Sequence, residues 1–216
     1  LTGFEELIPA LVRSYDQADA SNPLRAELAE QVGILRDWDL RWSVESVPTS
    51  LAIFFGEEAR RLGSTERATP QELLQALNAA SARLESDFGS WRTPWGDINR
   101  FQRLTGDIVQ PFDDAGPSTP VGFPSSRWGS LASFGARAYP QTKKWYGTSG
   151  NSFVAVVEFG DRVRARAVTA GGLDSDPSSA HFNDQAELYA AGDLREVYYY
   201  RADVEDHMER EYHPGN

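Results

Sequence analysis

At 216 residues, with 40% hydrophobic and 25% charged positions, the chain has the length and composition of a globular protein that buries a sizeable core. A net charge of −11 with only thin basic clusters argues against a nucleic-acid surface and is expected to serve solubility. The absence of cysteine excludes disulfides, thiol nucleophiles and thiolate metal sites, and no apolar run reaches membrane-spanning length.

The opening LTGFEELIPALV has no basic region of the kind that begins a signal peptide, and no initiator Met. Both are expected of an excised or processed piece of a longer protein. Within FEELIPALVRSY, Phe4, Leu7, Ile8, Leu11, Val12 and Tyr15 recur at helical spacing, and Pro9 either kinks this helix or lies in its first turn. LRAELAEQVGILRDW continues the pattern through Leu24, Leu28, Val32 and Leu35. VPTSLAIFFGEEARRLG places Leu51, Phe54, Phe55 and Leu62 on one side, with Gly63 as the stop. In the next helix Thr69 is the cap, Pro70 suits the first position and Glu72 closes a capping box. Leu73, Leu74, Leu77, Ala80, Ser81 and Leu84 form its apolar stripe, which predicts core.

Residues 105–127 hold four prolines, three glycines and the pair Asp113 and Asp114, which predicts a long loop of the kind that is functional or mobile. Beyond it the pattern turns to strands. SFVAVVEF and RVRARAVT flank Gly160 and Asp161 and predict a hairpin at the centre of a sheet. The second run alternates Val163, Ala165 and Ala167 against Arg164 and Arg166. The first is apolar almost throughout, as for a strand covered on both faces. A short helix follows with Asn183 as cap and Gly192 as stop, then a polar surface helix in RADVEDHMERE. No repeat and no linker divides the chain. The reading is one α+β region, mainly helical over 1–104, a loop over 105–127, and strands with short helices over 128–216.

Several constellations could carry chemistry. His181, Asp184 and Gln185 are close enough to share hydrogen bonds, and His181 could act as a general base. Its partner would be Ser178 or Ser179, but neither sits in a Gly-x-Ser-x-Gly elbow, so a strand-to-helix joint is the favoured reading. Asp174, Asp176 and Asp184 do not have calcium-loop spacing and read as turn residues. His207, Glu211 and His213 form no His-Glu-x-x-His pattern, so zinc is not expected. In WRTPWGDINRFQR, Trp91 and Trp95 are expected to anchor a turn, while Arg100 and Arg103 pair with acids. WYGTSGNSF reads as a Gly/Ser-rich loop leading into a strand, which is the wrong order for a phosphate cradle, and it lacks the lysine.

Taken in order, these segments resemble the C-terminal end of the β-chain in the penicillin acylase family, which includes penicillin amidases and acyl-homoserine lactone acylases. Gly171, Gly172, Ser179, His181, Phe182, Asp184, Gln185, Tyr189 and Gly192 match its typical ending. Leu173, Asp174 and Ser175 replace the usual Gln-Ser-Gly, and Ala180 stands where Pro is common. Trp95, Gly96 and Arg100 resemble its Trp-Gly segment, and Leu35, Trp38 and Asp39 its Leu-x-x-Trp-Asp pattern, so the likeness spans about 35–214.

The resemblance implies part of a four-layer αββα sandwich of the N-terminal nucleophile hydrolases. There the β-chain's first residue, a serine, attacks the amide with its own α-amino group as base. This chain starts with Leu1, and Gly3-Phe4 after Thr2 does not resemble the family's β-chain start. No catalytic, cofactor or metal residue is therefore expected here, and no cofactor. The implied partners are the α-chain and the N-terminal part of the β-chain, the implied substrate a small acyl amide, and the implied location periplasmic or secreted. Nucleic-acid and membrane partners are not expected, and self-association of the piece is. The competing reading is a non-catalytic binding or assembly domain of the same fold.

Overall fold

A computed structural model describes residues 1–63, 68–211 and 213. Tyr212, Pro214 and Gly215, the last residues of the resemblance, lie outside them. The chain falls into two compact units, Leu1–Gly150 and Asn151–Asn216. No helix among the described residues is long and apolar enough to cross a membrane.

The first unit opens with helices. α1 (Leu7–Gln17) holds Pro9 in its first turn, where the missing N–H costs nothing. The next apolar stripe is cut in two, α2 (Pro23–Glu27) and α3 (Ala29–Arg36), because Leu28 leaves helical geometry at φ −102°, ψ 6°. α4 (Val47–Arg61) is capped by Ser46 and is buried along every residue from Thr49 to Gly56. It is the central helix, not a one-sided one. Leu62 does not join its buried side: the helix ends before it, and it is 42% exposed. Gly63 at φ +95° makes the stop.

α5 (Pro70–Phe88) begins with the expected reciprocal cap. The Thr69 N–H donates to Glu72 Oε2 at 2.7 Å and the Glu72 N–H to Thr69 Oγ1 at 3.3 Å. Leu73, Leu74, Leu77, Ala80, Ser81 and Leu84 are all buried, in a core shared with Leu11, Leu35, Leu51 and Phe55. Gly56 lets Trp128 lie across α4, since a Cβ there would meet the indole at 2.6 Å.

A short turn, α6 (Trp95–Ile98), leads into β1 (Asn99–Phe101). β2 (Thr119–Pro120), β3 (Phe134–Arg137) and β4 (Trp145–Gly150) complete a sheet in the order β2-β1-β4-β3, antiparallel except for the β1–β4 pair. β4 overturns the reading of WYGTSG as a loop. Its glycines are places where neighbours cross the strand, since a Cβ on Gly147 would meet the Phe134 ring at 2.8 Å.

The expected loop over 105–127 is interrupted by β2, which pairs with β1, and is anchored. Gln102 holds it by donating to Asp113 O at 2.8 Å and accepting from the Asp113 N–H at 2.9 Å. The buried Tyr146 hydroxyl bonds Asp113 O at 3.1 Å and Asp114 Oδ1 at 3.0 Å, while the Phe112 ring stacks on Tyr146 at 4.9 Å.

In the second unit, β5 (Phe153–Glu158) and β6 (Arg164–Thr169) form the expected hairpin, with Val156 opposite Arg166. α7 (Ala186–Ala191), β7 (Arg195–Val197) and α8 (Arg201–His207) follow. The sheet order β5-β6-β7 corrects the placement of the first run: β6 is central and β5 is an edge. β5 is not covered on both faces either, with Phe153 61% exposed and Phe159, just past its end, 82% exposed. α7 packs on β6 and buries Ala186 and Tyr189. Asn183 is not the cap of α7. Gln185 holds that position, and its side chain turns to the sheet instead. α8 buries no residue, as expected of a polar surface helix.

Candidate functional site

Two places gather polar groups: the turn around His181 in the second unit, and a cleft in the first.

The turn is built on close backbone approach. Gly171 has φ +88°, and a Cβ on Gly172 would meet His181 O at 2.1 Å, so only glycine fits there. The Gln185 N–H donates to Gly171 O at 2.7 Å. The buried Gln185 side chain accepts from the Thr169 N–H at 3.0 Å and from Arg195 Nε at 3.1 Å, tying β6, α7 and β7 together. His181 Nδ1 lies 2.8 Å from Asp184 Oδ2 and Nε2 lies 3.1 Å from Glu209 Oε2. Those hydrogen bonds, Asp184's first, raise its pKa and favour the imidazolium.

Neither serine is poised on His181. The Ser178 hydroxyl donates to Asp176 Oδ1 at 2.8 Å, and Ser179 Oγ accepts from the His181 backbone N–H at 3.2 Å. A base engaged by carboxylates on both nitrogens, with no hydroxyl donating to it, does not activate a nucleophile in this arrangement. Asp174 and Asp176 accept from backbone N–H groups two residues on, which draws the Asp174 carboxyl down; these are turn contacts. His207 stacks on Tyr198 at 3.9 Å. Among the described residues no three His, Asp or Glu side chains come together as a metal site.

Within the segment from Trp91 to Arg103, Thr93, Trp95, Gly96, Ile98, Asn99 and Gln102 are buried in the first unit. Trp95 is 1% exposed. Arg100 corrects its expected pairing with an acid: its guanidinium donates to Gly96 O at 2.9 Å and to Ser118 Oγ at 3.0 Å, because it is partly buried where backbone acceptors are nearest.

Beside it α4, α5, α6, β1, β3, β4 and the turn over 124–128 line a cleft of about 410 Å³, within the ~300–1,000 Å³ range of small-molecule sites. Trp95, Trp128, Trp145 and Phe134 supply flat apolar walls, and Arg61, Arg83, Arg127 and Arg137 face a single acid, Glu57. The pattern of residue types did not expose this cleft. Its walls come from six elements and a turn, and WYGTSG was not legible as a strand. The signal in hindsight is the pair Trp95 and Asn99, four residues apart at a helix-to-strand joint.

A model of the penicillin amidase family matches residues 2–206. Among solved structures the chain is similar to a thermostable penicillin G acylase from Alcaligenes faecalis, at 13% identity and a TM-score of 0.45. That match covers 98% of this chain and 46% of the acylase chain, so the sequence spans about half the length of the protein it matches.

Proposed function

The chain belongs to the penicillin amidase family, within the N-terminal nucleophile hydrolase superfamily, and on that premise we propose that it is the C-terminal portion of an amidohydrolase whose nucleophile lies elsewhere in the protein. The family match over residues 2–206 carries this reading. The parent enzyme cleaves an acyl amide, of the β-lactam side-chain or N-acyl-homoserine lactone type. A serine at the start of its β-chain is the nucleophile, and a terminal amine with a pKa near ~7.7–8.0 is a suitable base for its hydroxyl.

Support for placing the nucleophile outside this chain comes from the His181 turn, where both ring nitrogens are taken by carboxylates and neither serine hydroxyl donates to them. His181 is then a structural residue that holds the strand-to-helix joint. The remainder of the acylase, its α-chain and the N-terminal part of its β-chain, is the partner, and the assembled enzyme is periplasmic or secreted.

The purified chain is the test. Incubated with a chromogenic phenylacetyl amide or an N-acyl-homoserine lactone, it releases no acid above background, and release returns when the remainder of the acylase is supplied. Turnover by the chain alone that disappears on His181→Ala overturns the proposal and makes His181 the base.

A further inference from the structure

Of the buried side-chain polar atoms in the described residues, Ser50 Oγ, Trp95 Nε1, Asn99 Oδ1 and Trp145 Nε1 have no hydrogen-bond partner. Three of the four belong to residues that line the same cleft. Buried polar groups are almost always satisfied, so three orphans among the residues of one cleft call for an occupant.

The orientation of Asn99 is decided by its other end. Its amide nitrogen donates to Val121 O at 2.7 Å and Phe123 O at 3.3 Å, which leaves Oδ1 as the free acceptor at a residue that is 0% exposed. The two indoles cannot swap roles, since an indole N–H only donates. Their rings meet edge to face at 5.9 Å, with Trp145 8% exposed. An occupant that reaches these indoles must offer acceptors to two N–H donors.

Charge narrows the class. In a chain of net charge −11 the cleft is lined by four arginines and one acid. Arg61 is held by Glu58 at 2.7 Å and Arg127 by Glu57 at 3.3 Å. Arg83 has only a 3.5 Å contact with Asp87, and its guanidinium lies over the Phe54 ring at 4.9 Å and the Trp145 ring at 5.8 Å. Arg137 rests on Tyr139 at 4.9 Å and pairs with no carboxylate among the described residues. An arginine fork with no acid beside it matches a carboxylate's two oxygens. The aromatic walls match a flat apolar body.

We infer that the cleft between α4, α5, α6, β1, β3 and β4 is a binding site for a small aromatic carboxylate, its ring between Trp95, Trp145 and Phe134 and its carboxylate towards Arg83 and Arg137. The carboxylate oxygens accept from the free N–H donors, and Asn99 Oδ1 accepts from a hydroxyl on the ring or from a water. The site uses residues of the first unit only and does not depend on where the enzyme's nucleophile lies.

Isothermal calorimetry on the 216-residue chain tests this with benzoate, and with benzyl alcohol and acetate as the uncharged and ring-less controls. Benzoate binds saturably with a Kd of about 0.1–1 mM, as expected for a ligand of its size, and the two controls bind at least about ten-fold more weakly. Arg137→Gln, on the exposed rim, weakens benzoate by about ten-fold while the thermal unfolding curve stays in place. Trp145→Phe keeps the ring, removes the N–H and also weakens it. No saturable benzoate binding, equal binding of benzyl alcohol, or an Arg137→Gln chain that binds as well as the original overturns the proposal.

Discussion

Trp128 stacks on Phe4, ring centroids 4.9 Å apart and planes 15° from parallel, and the pair lies over the single Gly56 in the middle of α4. A helix interior ordinarily disfavours glycine by up to ~1 kcal/mol relative to alanine. Here a Cβ would sit 2.6 Å from one ring and 3.2 Å from the other. Both rings are buried and cannot swing into solvent, so overpacking at ~1–3 kcal/mol outweighs the gain in helix propensity. Gly56→Ala therefore lowers stability by about 1–2 kcal/mol, read as a fall in the thermal unfolding midpoint. An unchanged or raised midpoint contradicts this account.

Tyr146 holds the long loop by its hydroxyl. Tyr146→Phe keeps the stacking on Phe112 and removes both hydrogen bonds, to Asp113 O and Asp114 Oδ1. The expected cost is about 1–2 kcal/mol, together with faster proteolytic cleavage within 105–127. Burial, with the hydrogen bond to Asp114 behind it, pushes the phenol well above its ordinary value, so it stays protonated through the neutral range. Cleavage of the loop at an unchanged rate shows that its other anchors, among them Gln102 and Lys144, suffice to hold it.

His181 makes one contribution of the second unit depend on pH. Its pKa is raised in the folded chain by Asp184 and then Glu209. The stabilisation is fully present below the unfolded value of about 6.5 and is lost as pH rises through the higher folded value. Proton NMR titration of the His181 ring is expected to give a midpoint above 6.5, which returns towards it when Asp184→Asn and Glu209→Gln are combined. A midpoint at or below 6.5 in the unaltered chain removes the clamp.

β5 leaves Phe153, Val156, Val157 and Phe159 exposed on an edge strand. An open, apolar strand edge pairs with another chain unless something covers it. The isolated chain is expected to self-associate as its concentration rises, and Val156→Lys with Phe159→Lys to shift it towards monomer. Light scattering checks both; a clean monomer across concentrations counts against this use of the edge.

The residue pattern alone determined what local chemistry decides. Thr69, Pro70 and Glu72 specified the start of α5 because a reciprocal cap needs only four consecutive residues. Val163, Ala165 and Ala167 against the two arginines specified a half-exposed β6, and Gly63 and Gly192 specified helix ends, because a left-handed residue is a local demand. The family, too, was legible, in the ordered set that begins at Leu35 and runs through Gly192.

Tertiary structure decided everything that depends on what lies opposite. An apolar run such as β5 reads alike whether or not a layer covers it, so burial could not be inferred from its composition. Gly147 in β4 reads as a turn residue until the Phe134 ring is seen crossing it. Arg100 found the Gly96 carbonyl and the hydroxyl and carbonyl of Ser118, not an acid, because these acceptors of α6 and the loop lie within its reach. The cleft and its three orphan polar groups exist only because six elements and a turn, separated by up to ninety-six positions from Ile53 to Ser149, close around one space.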